Sequence, residues 1–483
     1  MICAALKPET NEQAVAEMAE ARRAGADLCE LRLDYLREPD LPRLLGSKPL
    51  PVVATVRPVW EGGRYEGDEV SRMGLLEDAC LHGADYVDVE FRAYKDFNRR
   101  QAKLILSYHD FEKTPGDLEA LAGKMKVMEP FLVKIACQAR GTADLLRLAR
   151  LQKGLGVPGA VIAMGEFGAP LRILYSRYGG WLTYASVRAG AETAAGQATV
   201  EDLVRLYRVK TVDDETAVYG VIGDPVAHSK SPMVFNEVFQ QLGVNARYVR
   251  IRVDDASLLR ELVETLELRG LSVTIPHKQA ALAAADAKDE LSAGIGAANT
   301  LTAKDGRIEA WNTDVLAAME AVKEAAVRTW SHGVYGMRAL VLGAGGVARA
   351  IAWGLKREAA RVTIANRTFE RGKALAEELG VECVRWENLV EARAQIVVNG
   401  TAVGMAPADG ESPVAADFFR KDMVAMDTVY TPRRTRFLRE AESRGAATID
   451  GVDMFLRQAN HQCRRFLGRP IPTELIKEFE RTM

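Results

Sequence analysis

The sequence predicts an α/β chain in which an N-terminal (β/α)8 barrel precedes a two-domain α/β unit. Three observations predict it. The 483 residues imply roughly three structural units at about 150 residues per domain. The first 200 or so residues alternate short β-rich runs with amphipathic stretches, eight times over. Beyond residue 338, an apolar run leads into a glycine turn and a helical segment.

The eight runs fall at 2–6, 27–33, 52–57, 85–90, 103–108, 131–135, 159–163 and 181–186. The helix after the first run is the clearest: Thr10 is its N-cap candidate, and Ala14, Val15, Met18, Ala19 and Arg22 follow at helical period. An open doubly wound sheet is the alternative, but this half has no glycine-rich phosphate turn to favour it. A polar stretch, 210–216, then leads to a strand at 218–222. It is short and not rich in Gly or Ser, so it ties the halves closely. Further strands are expected at 247–253 and 270–275, and a hairpin pairs 299–302 with 307–311 across Asp305-Gly306. Domain boundaries are therefore drawn at 1–212, 216–330 (completed by helices at 455–483) and 335–454.

Composition narrows the function. Hydrophobic residues make up 48% of the chain, and 64 Lys+Arg face 66 Asp+Glu for a formal net charge of −2. That balance speaks against a nucleic-acid-binding surface, and no apolar run reaches the roughly 20 residues that span a bilayer. The start lacks the pattern of a signal peptide, and the six cysteines show no CxxC pairing. The expectation is a cytoplasmic protein with small-molecule substrates, without metal, nucleic acid or membrane partners, either monomer or homodimer.

Barrel enzymes carry their chemistry at the carboxyl ends of the strands. Those ends read Glu30-x-Arg32-x-Asp34, Thr55-x-Arg57, Asp88-x-Glu90, Ser107-x-His109-Asp110 and a lysine, Lys134, flanked by Val133 and Ile135. Desolvation of an interior lysine favours the neutral amine needed for Schiff-base chemistry; taken alone, it would equally snorkel or pair with a carboxylate. With His109, Glu90, Arg32 and Arg57 on neighbouring ends, the set describes an anionic-substrate site with an amine nucleophile and an acid–base pair.

These motifs resemble the type I 3-dehydroquinate dehydratases, together with Glu61-Gly62-Gly63, Phe111 through Pro115, Met164-Gly165 and Gly196-Gln197. The resemblance implies an imine on Lys134, proton transfer by His109, assistance and orientation of His109 by Glu90, and carboxylate binding by Arg172. Glu30, Arg32, Arg57, Thr193 and Gln197 would line the substrate. Leu171, where the family often has Ser, and Ala195, where Pro is common, depart from the pattern in the lid region.

In the second half, residues 339–342 feed Gly343, Ala344, Gly345, Gly346, Val347 and Ala348, a strand-to-helix turn suited to pyrophosphate. After the next strand the chain reads Asn366, Arg367, Thr368 and, one turn on, Arg371, where arginine favours a 2′-phosphate and hence NADP. Lys278, after Val273-Thr274-Ile275-Pro276-His277, and Asp314, after Asn312-Thr313, make a proton-relaying pair. Taken singly, they read as a helix-start surface residue and a helix N-terminal charge. These runs resemble shikimate dehydrogenases from about residue 217 on, through Tyr219 to Pro232, Gly296 to Thr300, Asn399-Gly400-Thr401, Val429-Tyr430 and Asp450-Gly451. The resemblance implies Lys278 and Asp314 as the catalytic pair, with Ser229, Ser231, Thr274, Asn299, Tyr430 and Gln458 on the substrate. Gly343 to Ala348, Asn366 to Thr368, Arg371, Thr401 and Gly451 would hold NADP(H), and Lys230 would be exposed.

Together the two halves imply consecutive steps of the shikimate pathway toward chorismate and aromatic amino acids, in an organisation similar to the fused plant enzyme. A non-catalytic ligand sensor and an NAD-using quinate dehydrogenase are the alternatives. Lys134, His109, Lys278 and Asp314 speak against the first, and Arg367 and Arg371 against the second.

Overall fold

Eight parallel strands, buried along most of their length, curl into a barrel in the computed structural model, which describes every residue except 96 and 195. They are β1 (Ile2–Leu6), β2 (Leu28–Arg32), β3 (Val52–Thr55), β4 (Tyr86–Glu90), β5 (Lys103–Asp110), β6 (Leu132–Gln138), β7 (Gly159–Met164) and β8 (Thr183–Ser186). Their order is β7-β6-β5-β4-β3-β2-β1-β8, so the last strand lies beside the first. Burial on both faces suits the Val-, Ile- and Ala-rich runs, since helices cover the outside of a parallel sheet. The chain positions expected for all eight strands hold, with ends that shift. β5 and β6 run further than expected because their ladder continues to Asp110 opposite Cys137. The two strands therefore carry His109 and Lys134 side by side, with Ser107 in register with Lys134.

Thr10 caps the first helix, Asn11–Ala24, as expected: its side chain accepts from the Gln13 N–H at 3.2 Å. The buried face differs, comprising Ala14, Glu17, Met18 and Ala21, while Val15 is exposed. The turn takes Glu17 inward because its carboxylate meets Gln13 and Arg188.

The chain forms two compact units, Met1–Leu268 and Arg269–Met483. The first unit runs past the barrel into the parallel pair β9 (Ala217–Gly223) and β10 (Ala246–Arg252). The polar stretch before β9 is knitted in place, with Asp213 accepting from Thr216 and Asn245. Beyond β10, Asp254 accepts from the Thr142 N–H and hydroxyl, and Glu267 receives Arg177, which ties this segment to the barrel helices.

The second unit holds β11 (Leu268–Val273), β12 (Ala287–Lys288), β13 (Thr300–Lys304) and β14 (Arg307–Trp311), in the order β11-β13-β14-β12. β13 and β14 form the expected hairpin, and Asp305 and Gly306 both take positive φ (51° and 75°), as its tight turn requires. The remaining strands are β15 (Arg338–Leu342), β16 (Arg361–Ala365), β17 (Glu382–Val384), β18 (Ile396–Asn399), β19 (Val424–Asp427) and β20 (Ala447–Ile449). They form a parallel sheet in the order β17-β16-β15-β18-β19-β20, the 3-2-1-4-5-6 winding of dinucleotide-binding folds. The helices Thr313–Trp330 and Gly451–Leu467 pack together, pinned by the paired Arg457–Glu324 contact. Among the described residues no helix is long and apolar enough to cross a membrane.

Buried charge also reaches the barrel wall from a covering helix. Arg72, on helix Glu69–Leu81, is fully buried and donates to Val56 O, to Glu90 Oε2 at 2.6 Å and to Glu69. Removing it strands the Glu90 carboxylate in the interior. Arg72→Ala is therefore expected to lower the urea unfolding free energy of the barrel transition by about 3–5 kcal/mol. A loss below about 1 kcal/mol would show that Glu90 does not depend on it.

Candidate active sites

The barrel strand ends surround a cavity lined by Glu30, Arg32, Arg57, Glu61, His109, Lys134, Arg172, Thr193 and Gln197, with Tyr35, Phe111 and Tyr184 among the aromatic wall. Lys134 is 4% exposed, as the apolar flanks of its strand anticipate. It is not in a purely apolar slot, however. Its Nζ donates to Asp88 Oδ2 at 2.9 Å and to Glu30 Oε1 at 3.1 Å, and sits 4.2 Å from the Tyr184 ring centre.

A buried arginine organises those carboxylates. Arg57 donates to Asp88 at 2.7 Å, to Glu90 at 2.6 Å and to Ser107 at 2.9 Å, while Ser107 donates to Asp88 at 2.6 Å. Burial opposes charge on Asp88, yet Arg57 and Lys134 hold its carboxyl well below the usual range. Glu90 is raised by its burial, against the pull of Arg57 and Arg72. Arg172 is drawn down to about 10 by burial on the short helix Ala169–Ile173, where Leu171 beside it is also buried. Arg32 is engaged by Asp34 at 2.8 and 2.7 Å, and Gln197 accepts from Thr193 N–H and hydroxyl. Ala195 lies outside the described residues.

The expected pairing of Glu90 with His109 is not found. Glu90 is spent on Arg57 and Arg72, and the carboxylate at His109 is Glu61, whose Oε1 lies 3.0 Å from Nδ1 and 2.9 Å from the His109 backbone N–H. The reason lies in the loop after β3. A Cβ on Gly63 would fall 1.8 Å from the Arg57 carbonyl, so only glycine lets the chain fold back and bring Glu61 under the strand-five end. The signal was in the sequence, in the Glu61-Gly62-Gly63 run, but nothing there said which of two acidic residues would reach the imidazole. Burial lifts Glu61 to about 7, against Arg57. Burial, then Arg57 and Lys134, push His109 well below its ordinary value, so the ring is neutral. A carboxylate at Nδ1 favours the Nδ1–H tautomer and leaves Nε2 to accept or give a proton. Asp88 and Ser107 were read at the strand ends but given no role, and Tyr184 was not singled out; apart from position on barrel strands, nothing in the sequence marks them.

In the second unit, Lys278 Nζ donates to Asp314 Oδ2 at 2.6 Å, a pairing anticipated from sequence. Asn299 Nδ2 holds the other oxygen, Oδ1, at 2.9 Å and also reaches Gln458 Oε1 at 3.1 Å. Asp314 opens helix Thr313–Trp330, capped by Asn312, which accepts from the Val315 N–H. Thr274 is half-buried just past β11, and Tyr430 is half-buried with its ring tilted on Phe455. Ser229 and Ser231 belong to the first unit, their hydroxyls 3.2 Å apart at the start of helix Ser231–Gln241. Lys230 between them is half-buried rather than exposed, because it occupies the cap position of that helix.

The glycine turn fits a dinucleotide. Gly343 has φ 108°, and a Cβ there would lie 2.9 Å from Gly400 O. Gly345 caps helix Gly346–Arg357 with open space around it, leaving room for phosphate at the helix N-terminus. A Cβ on Gly346 would meet the Lys278 chain at 2.8 Å, so the turn lies against the Lys278–Asp314 pair. Ala344 and Val347 are half-buried in the turn and Ala348 is buried beneath it. Asn366 donates to Thr368 O, Arg367 and Arg371 are exposed past β16, and Thr401 donates to Asn399 under the turn. Gly451 cannot carry a side chain, since its Cβ would fall 2.2 Å from Val429 O. Among the described residues no group of His, Cys, Asp and Glu is arranged to hold a metal ion.

Comparison with known proteins divides along the same line. Residues 2–214 match the family model described as type I 3-dehydroquinase, 221–301 the shikimate dehydrogenase substrate binding domain, and 325–406 shikimate / quinate 5-dehydrogenase. The chain is 38% identical to a bifunctional 3-dehydroquinate dehydratase/shikimate dehydrogenase, described as chloroplastic, of Arabidopsis thaliana, over 98% of this chain and 83% of that one. It is 42% identical to a shikimate dehydrogenase (NADP(+)) of Syntrophobacter fumaroxidans, over 53% of this chain and 90% of that protein. A crystal structure of a shikimate dehydrogenase in complex with NADP+ superposes with a TM-score of 0.51 at 33% identity, covering 55% of this chain and 95% of that one.

The Glu61–His109 contact makes a spectroscopic prediction. In 15N-histidine spectra the His109 ring should stay neutral well below the ordinary histidine range, with a shift inflection near pH 7 as Glu61 gains its proton. Glu61→Gln should remove that inflection. An inflection that survives the substitution would assign the titration elsewhere.

Proposed function

We propose, for a chain that belongs to the family of bifunctional 3-dehydroquinate dehydratase/shikimate dehydrogenases, that the first step runs through an imine on Lys134 and the second through Lys278 and Asp314. The chain dehydrates 3-dehydroquinate and reduces the resulting 3-dehydroshikimate to shikimate with NADPH. Its proposed division is 1–212 for the dehydratase, 216–330 with 455–483 for the shikimate-binding domain, and 335–454 for the NADP domain. Six cysteines without disulfides support a reducing, cytoplasmic setting.

The observation that carries the imine reading is the buried Lys134 amine in the cavity that also holds His109 and Arg172. Arg172, with Thr193 and Gln197, takes the substrate carboxylate, and Glu30, Arg32 and Arg57 take its hydroxyls. Lys134 adds to the ketone and water leaves, giving a protonated imine whose charge Asp88 and Glu30 balance. That charge acidifies the neighbouring C–H; His109, oriented by Glu61, takes this proton. The electron pair moves toward nitrogen and returns to expel the β-hydroxyl, which His109 protonates as water. Hydrolysis of the imine frees Lys134.

In the second step NADPH, when bound at the glycine turn, supplies the hydride. Lys278 donates the proton that the reduced carbonyl oxygen needs, and Asp314, held by Asn299, restores it. Ser229, Ser231, Thr274, Tyr430 and Gln458 hold the ring hydroxyls and carboxylate. Arg367 and Arg371 would hold the adenosine 2′-phosphate, and Asn366, Thr368, Thr401 and Gly451 would complete the cofactor's surroundings.

Borohydride added with 3-dehydroquinate should leave a reduced adduct on Lys134. Lys134→Ala should abolish dehydration while NADPH-dependent reduction of 3-dehydroshikimate continues. An adduct on another residue, or none, would overturn the imine. Arg367→Ala should raise the KM for NADP+ about tenfold to a hundredfold, as loss of a charged hydrogen bond does, with little change in the shikimate KM. Equal effects on both would contradict a phosphate contact.

A further inference from the structure

Tyr184 is used by none of these steps, yet it lines the dehydratase cavity. It is 5% exposed, and its phenol oxygen is buried with no hydrogen-bond partner among the described residues. Its neighbours in the barrel interior, Cys3, Ile162 and Met164 among them, offer it apolar surface. Phenylalanine would fill the same space without leaving a hydroxyl unanswered, and an unanswered buried hydroxyl weakens a fold. The hydroxyl therefore has its use with something that enters the cavity. Its position says what. The ring centre lies 4.2 Å from Lys134 Nζ, so a substrate joined to that nitrogen would bring the atoms flanking its imine carbon close to the phenol. In 3-dehydroquinate one flanking carbon is the CH2 that loses a proton, and only the other carries an oxygen.

We infer that Tyr184 is a specificity-determining residue of the dehydratase, its phenol O–H donating to the substrate hydroxyl on the carbon beside the imine carbon. The inference rests on the Lys134 imine reading, which fixes where the substrate ring lies. Burial, then Glu30, hold the phenol well above its ordinary pKa, so it enters this contact as a donor. A neutral hydrogen bond made equally to ground state and transition state changes KM more than kcat.

Tyr184→Phe tests it in the full chain. The KM for 3-dehydroquinate should rise about five- to tenfold with kcat within about twofold, the size of a lost neutral hydrogen bond. The 4-deoxy analogue of 3-dehydroquinate, which lacks that hydroxyl, should show the same KM with wild type and variant. NADPH-dependent reduction of 3-dehydroshikimate by the same chain, and an unliganded melting temperature no lower than that of wild type, report a folded variant. An unchanged KM, a loss confined to kcat, or an equal penalty for the 4-deoxy analogue overturns the inference. A lower melting temperature does so too, since it would give the hydroxyl a structural partner. Borohydride trapping on wild type separates the two readings: without a Lys134 adduct the imine fails, whereas an adduct with an unchanged Tyr184→Phe KM sinks only this contact.

Discussion

Arg57 is the charge on which the barrel site depends. Its guanidinium engages Asp88, Glu90 and Ser107 inside the strand ring, and through Asp88 it reaches the Lys134 amine. Buried charges persist only when their partners are in place, since removal of one leaves another uncompensated in a low-dielectric interior. Arg72 extends the chain outward by holding the far oxygen of Glu90. The lattice thus spans from a covering helix to the Lys134 amine. It fixes the field in which His109 stays neutral and Glu61 titrates near neutrality.

The Lys278–Asp314 pair is built with a lighter hand. Asp314 stands in the first turn of a capped helix, where the backbone N–H groups favour a negative charge. Asn299 fixes one of its oxygens and leaves the other for Lys278. Behind Asn299, Gln462 donates to its backbone carbonyl and Ser272 donates to Gln462. The glycine of the nucleotide turn lies directly against the lysine stem, and a larger residue would separate the cofactor cradle from the pair. One site relies on dense buried charge and the other on a hydrogen-bonded frame. The difference suits the proposed steps, a cationic imine at the first site and a proton relay at the second.

Much of this was legible from residues alone. Alternating β runs and amphipathic helices gave the barrel, because the two periodicities are local. Lys134 stood out as a lysine among Val133 and Ile135, and the glycine turn as a strand-to-helix junction, since both patterns lie within a few residues. Glu61 was misread. Its motif was visible, but the choice between it and Glu90 depends on how a loop folds back across β3, which the absent side chain of Gly63 permits. Val15 and Lys230 misled for a similar reason: their exposure follows from what packs on the turn, not from their own chemistry. Tyr184 could not be chosen at all, as a tyrosine on a buried strand reads as core.

By itself the sequence determined the kinds of element, their order, the buried lysine and the glycine turn, for these rest on periodicity and on residue types close along the chain. Only the tertiary structure decided which carboxylate faces which base: Glu61 on His109, Asp88 and Glu30 on Lys134, and Glu90 between two arginines. Pairing between strand ends is set by register and loop closure over separations of 46 to 104 residues for the lysine contacts. Coulomb and hydrogen-bond energies depend on distances of a few ångströms, and no local pattern encodes distances across such a span.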